Sequence, residues 1–184
     1  MFNATFEPAT HDTGLRCNNC AGHLPLPFPV TLYNKRFTSA FASADGQLDF
    51  RPASNQADGV DSVDGLPNHL ANTAIFVHWD HLSITGLGSG IFTSMGTDRT
   101  TGHRTFTIEW RATYVDTGEP VDFALRLYEA SPQFDIVFGQ VGETGSFATV
   151  GVQDGVGASS TQYESAQPDS LLPGLALTFQ PAQH

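Results

Sequence analysis

Strict alternation of apolar and polar side chains between residues 104 and 128 constrains this chain most. In Arg104–Tyr114, Phe106, Ile108, Trp110 and Ala112 share one parity, and Thr105, Thr107, Glu109 and Arg111 share the other. A side-chain period of two belongs to a strand with one dry and one wet face. Asp116-Thr117-Gly118-Glu119-Pro120 supplies a turn. Val121–Tyr128 then repeats the alternation, with Phe123, Leu125 and Leu127 inward and Asp122, Ala124, Arg126 and Tyr128 outward. The two segments read as an antiparallel hairpin, with Glu109 and Arg126 as the expected cross-strand ion pair. Phe134, Ile136 and Phe138 continue the pattern. Phe106, Ile108, Trp110, Phe123, Leu125, Leu127, Phe134 and Ile136 are therefore expected in one core.

Short strands between Gly, Asp, Asn and Pro turns account for most of the remaining chain. Leu24 to Tyr33 carries Pro25, Pro27 and Pro29, which restricts it to an edge or an extended approach. Arg36 to Ser43 follows, Asp45-Gly46 marks a hairpin, and Gln47 to Phe50 returns. In Ala74 to Asp80, Ile75, Val77 and Trp79 point one way and Phe76, His78 and Asp80 the other. That segment reads as a strand buried at its entry and opening toward a rim. Segments 91–94, 147–152 and 175–179 complete a set of about ten or eleven strands. No twelve-residue window carries a helical stripe, and the strand–helix alternation of a parallel α/β fold is missing. The expected fold class is all-β: a two-sheet antiparallel β-sandwich, jelly-roll-like, with a closed β-barrel as the alternative.

The 184 residues suffice for one sizeable core. They divide as one domain over 1–184, with a polar N-terminal segment 1–23, a long surface loop 51–71 and a tail 180–184. Nineteen acids against eight bases give a net charge of -11, and Lys35 is the only lysine. Such a surface repels nucleic-acid phosphate and anionic lipid. No apolar run approaches the eighteen residues of a membrane span. The start at Met1 shows no signal peptide. Low lysine content and richness in Ser, Thr, Gly and Asn favour an excised part or mature domain of a secreted polypeptide over a cytosolic chain. The expected location is extracellular or at the cell surface.

Candidate chemistry is sparse. Cys17 and Cys20 are the only cysteines. A local disulfide, free thiols, and metal or redox chemistry are the three readings, with the disulfide preferred. His78, Asp80 and His81 are the densest ionisable group, and imidazole with carboxylate suits zinc. Asp80, at the strand end, is the expected anchor of a structural cation. Asp58, Asp61 and Asp64 offer oxygen ligands for calcium in the long loop, without the EF-hand spacing. Any Ca2+ or Zn2+ is expected to be structural. Asp12-Thr13-Gly14 and Asp116-Thr117-Gly118 resemble the aspartic-protease tripeptide, but both flanks are turn-like.

The ordered series Leu26-Pro27-Phe28-Pro29-Val30, Ala44-Asp45-Gly46-Gln47-Leu48-Asp49-Phe50 and Phe76-Val77-His78-Trp79-Asp80-His81 resembles secreted and cell-surface bacterial β-sandwich domains, loosely nidogen-like. There the segments run L-P-F-x-V, N/D-G-x-L-x-F and W-D-D, and here His81 replaces the second aspartate of the last. The resemblance spans about residues 12 to 179. It implies a sandwich module found in multidomain exported proteins, with no catalytic activity or ligand set to transfer. Related modules often carry a further cysteine pair, which this chain lacks. The expected function is a non-catalytic extracellular structural or assembly module of a bacterial surface or secreted protein. Its partners would be copies of itself or neighbouring domains of a larger polypeptide. One alternative is an adhesive module taking a glycan or protein through the 51–71 and Gly86–Gly90 loops. The other is an enzyme of unknown class.

Overall fold

The computed structural model describes residues 2–3, 5–50, 65–69, 71–155 and 159–180. The first half of the chain supplies β1 (Phe2–Asn3), β2 (His11–Asp12), β3 (Ala21–Leu32), β4 (Lys35–Ser43), β5 (Gln47–Asp49), β6 (Ala74–Trp79) and β7 (Leu82–Ser83). The second half supplies β8 (Gly90–Thr97), β9 (Arg104–Tyr114), β10 (Pro120–Tyr128), β11 (Phe134–Val141), β12 (Thr149–Gln153), β13 (Ser160–Ser165) and β14 (Leu175–Phe179). One sheet has the order β1-β14-β11-β10-β9-β8-β2, with β7 also paired to β9; the other runs β13-β12-β6-β5-β4-β3. Every pairing is antiparallel. The two sheets keep separate edges, so the fold is a sandwich and not a closed barrel.

The hairpin read from the alternation forms in the expected register, with Trp110 opposite Phe123, Ile108 opposite Leu125 and Phe106 opposite Leu127. All eight residues expected in one core are buried in the main apolar cluster. Trp110 stacks on Phe123 at 5.4 Å between ring centroids and donates its indole N–H to the Ser43 carbonyl at 2.7 Å. That bond ties the centre of one sheet to the end of β4 in the other.

Four features depart from the sequence expectation. Among the described residues fourteen strands form instead of ten or eleven, because β1, β2 and β7 are two-residue pairings and β13 is a polar edge strand without alternation. The outward face of the hairpin is not wet, because the N-terminal segment straps the outer face of the first sheet. There Ala9 donates to the Glu109 carboxylate, Arg111 donates to the Ala9 carbonyl at 2.6 Å, and His11 pairs with Thr93. The face expected to be wet is thereby dried, and Glu109 is only 1% exposed. Glu109 faces Ala124, not Arg126, and its ion pair is with Arg111 at 2.7 Å. Finally, all six residues of β6 are buried, so no open rim forms along it.

Candidate functional site

The Asp45-Gly46 turn and the His78-Trp79-Asp80-His81 segment meet at one end of the sandwich. Along β6 the partner register shifts: Phe76 faces Gly151 and Trp79 faces Thr149, which leaves Val77 and His78 together opposite Val150. This is a β-bulge, two residues against one. On the other side, the amides of Val77 and His78 both donate to the Gly46 carbonyl, at 3.0 and 3.2 Å. The extra residue breaks the alternation. Val77 and His78 both enter the main core, and Trp79 is turned onto Phe76 in a second apolar cluster with Ala71 and Ala74.

Asp45 and Asp80 complete the joint. The Asp80 amide donates to the Asp45 carbonyl at 3.2 Å, and the Leu82 amide donates to Asp45 Oδ1 at 3.2 Å. Asp80 Oδ1 accepts the His81 amide at 2.7 Å. The Cys17–Cys20 disulfide lies beside the same joint, with its Cα atoms 6.1 Å apart. Cys20 accepts the Ala44 amide from one sheet, and Cys17 accepts the Ile84 amide beyond β7 of the other.

His78 is fully buried, its ring packed near Phe123 and Phe138, and its Nε2 lies 3.0 Å from the Tyr114 hydroxyl. Burial pushes the His78 imidazole down to about 3, so it is neutral at physiological pH. Burial raises the Tyr114 hydroxyl, and the Asp80 and Glu143 charges add to that rise. Asp80 Oδ2 lies 3.9 Å from His78 Nε2, a contact with a neutral ring and not an ion pair.

The three residues of the expected zinc set have different partners: His78 the Tyr114 hydroxyl, Asp80 the His81 amide, and His81 the Asp116 carboxylate. His81 turns away from His78 and Asp80, and its Nδ1 lies 3.7 Å from Asp116 instead. Among the described residues no three His, Cys, Asp or Glu side chains form a group able to hold a metal. Asp58, Asp61 and Asp64 lie outside the described residues. The physical reason for the His81 divergence is that β6 ends at Trp79, so the chain bends between Asp80 and His81.

A second polar feature was not legible in the sequence. Glu164, on β13, is only 4% exposed. Its Oε2 accepts the Gln167 amide at 3.2 Å, while its Oε1 faces the Gly145 and Ser170 side of the neighbouring loops. Burial pushes its carboxyl up to about 7; the Asp80 charge adds to the rise, and the Gln167 amide and Ser170 hydroxyl oppose it. Gln162, Tyr163, Glu164, Ser165, Gln167 and Ser170 line a polar cavity of about 320 Å3. A glutamate in the run Ser160-Thr161-Gln162-Tyr163-Glu164-Ser165 reads as solvated, because no alternation marks which face is dry.

A joint of this kind suits the motif residues to holding the two sheets together, and the comparison with known proteins falls in with the architecture. A family model described as NIDO related matches residues 2–180. No curated protein and no solved structure matches the chain. With the match covering nearly its whole length, the chain belongs to the NIDO-related family.

Proposed function

We propose that this chain is a non-catalytic structural or assembly module of an exported or cell-surface bacterial protein. One observation carries the reading: apart from His81, the residues of the two motif segments at the joint are interior. Asp45, His78 and Trp79 are fully buried and Asp80 is 4% exposed. Their contacts join a turn of one hairpin to a bulge in the next strand, so the motif specifies the fold and presents little to a ligand. The Cys17–Cys20 bond supports export, since disulfides persist in oxidising compartments. Among the described residues no helix is long and apolar enough to cross a membrane.

The polar cavity beside Glu164 supports a second reading, an adhesive module that takes a small polar ligand such as a glycan. Glycan-array screening of the folded chain separates the two. The structural reading expects no saturable binding. A selective glycan signal that is lost in Glu164→Ala would overturn it and favour the adhesive reading.

A further inference from the structure

The N-terminal segment supplies both edges of the first sheet. Phe2 and Asn3 pair with β14 at one edge, and His11 and Asp12 pair with β8 at the other. Between those edges the segment crosses the outer face. The Phe6 ring lies against Gly139 of β11, where a built Cβ would stand 3.1 Å from the ring. Glu109 accepts the Ala9 amide, and Arg111 donates to the Ala9 carbonyl at 2.6 Å. The Thr10 amide donates to Ser94 Oγ at 2.9 Å, and the Thr13 amide to the Ile91 carbonyl at 3.1 Å. Arg111 is itself positioned by its ion pair with Glu109 and by the Phe92 ring, whose centroid lies 3.8 Å from the guanidinium.

These contacts make a seat for an extended chain. Glu109 and Arg111 grip the donor and the acceptor of one residue, Ala9, whose small side chain is only 4% exposed. The hold elsewhere is slight: Thr5, Glu7, Pro8, Thr10, His11 and Asp12 are exposed, and each edge pairing involves two residues. Past Thr13 the chain turns at Gly14, with φ +79 and nothing within 4 Å of the position a Cβ would take. The exposed pair Arg16–Asp12, at 2.6 Å, spans this turn and adds little. Beyond it the Cys17–Cys20 disulfide and the main-chain bonds of both cysteines fix the chain to the two sheets. Residues 2–13 are thus a strap with a hinge and a fixed base. An element with few buried apolar contacts opens locally while the core stays folded.

We propose that the strap exchanges between copies, residues 2–13 of one chain taking the seat on the outer face of a second chain. The seat is matched contact by contact to this segment: Gly139 to Phe6, Glu109 and Arg111 to Ala9, Ser94 to Thr10, and β8 to the residues that follow. The occupant that makes all of these contacts is the same segment of another copy. Exchange breaks and remakes identical bonds, so its cost is confined to the hinge and to bringing two copies together. A short tether gives the strap an effective concentration of about 1 mM at its own seat. Foreign straps therefore compete as the local concentration of chains approaches that value. The inference rests on the assembly reading and names its partner and its contact.

Paramagnetic broadening between chains tests it. The full chain carrying Glu7→Cys with a nitroxide is mixed with an equal amount of isotope-labelled wild type at about 1 mM total protein. Glu7 is exposed, and the two native cysteines are bonded to each other, so the nitroxide goes to the strap alone. A strap on its own seat broadens only its own chain, which the spectrum does not detect. An exchanged strap broadens the Glu109, Arg111 and Gly139 amides of the isotope-labelled chain. With seats shared evenly between own and foreign straps, and half of the foreign straps carrying nitroxide, those peaks are expected to lose about a quarter of their height. Thr161 and Gln162, on β13 of the other sheet, are expected to keep theirs. The same nitroxide at Thr5→Cys, on the other side of Phe6, repeats the measurement without altering position 7. Selective broadening at the seat from either position supports exchange. Broadening absent from both, or spread evenly over the chain, would overturn it and leave the structural reading standing. A selective glycan signal overturns the structural reading whatever the spectra show.

Discussion

Gly46 lies so close to His78 that a Cβ built on it would stand 2.1 Å from the His78 carbonyl oxygen. Gly46 also has a positive φ of +82, where a side chain strains the backbone. The turn therefore needs glycine twice over: for its own conformation, and for the approach of the bulged strand.

Gly46→Ala is expected to cost well beyond the conformational penalty alone. Gly118 is the internal control, with φ +75 and nothing within 4 Å of the position a Cβ would take. Gly118→Ala should cost about 1–2 kcal/mol for the left-handed backbone. Gly46→Ala should exceed about 4 kcal/mol, because backbone must move. Urea denaturation of both variants checks the ranking; equal losses would remove the close approach from the explanation.

Two buried groups should make stability depend on pH in opposite directions. Glu164 has its pKa raised from 4.5 to about 7, so the native state holds its proton more tightly. Its contribution is complete below pH 4.5 and is lost as pH rises toward 7. His78 has its pKa lowered from 6.5 to about 3, so the unfolded chain takes up the proton first. That contribution is present above pH 6.5 and is lost as pH falls toward 3. Between pH 4.5 and 6.5 the two oppose each other. In Glu164→Gln the His78 dependence is expected to stand alone, with stability rising with pH by at most about 1.4 kcal/mol per unit. Denaturation midpoints from pH 4.5 to 6.5 that show no difference in slope between variant and wild type would contradict this.

Leu125 is fully buried on β10, opposite Ile108. Leu125→Ala is expected to cost about 2–5 kcal/mol, the loss from a cavity in a packed core. A loss under about half a kcal/mol in chemical denaturation would place Leu125 at a surface.

The sequence was most legible where alternation was unbroken. Residues 104 to 128 revealed strand, face and register, because a period of two admits one assignment when one face is dry. It was least legible where one extra residue reset the parity. Nothing in Phe76-Val77-His78-Trp79 marks a bulge, since every side chain there is compatible with burial, and the bulge is set by the Gly46 carbonyl and Val150 across the sheet. Glu109 was misassigned for a different reason. Alternation identifies the face of a sheet but does not say what lies over it, and the strap at Ala9 comes from 100 residues away. His78, Asp80 and His81 are neighbours in the chain, yet the bend after Trp79 sends His81 to Asp116.

Zinc should accordingly leave the melting temperature unchanged relative to chelator. His78 is neutral and bonded to Tyr114, and His81 lies against Asp116. A zinc-dependent rise in melting temperature that disappears in His81→Ala would show that the three residues converge on a metal in solution.

Native-state hydrogen exchange at Val77, His78, Asp80 and Leu82 tests most directly whether the motif residues build the fold. These amides donate to Gly46 and Asp45 across the joint between turn and bulge. They are expected to exchange only through global unfolding, with opening free energies equal to those of Ile108 and Leu125 in the central hairpin. Exchange through local openings at a small fraction of the global value would contradict a structural lock and mark the joint as a mobile site.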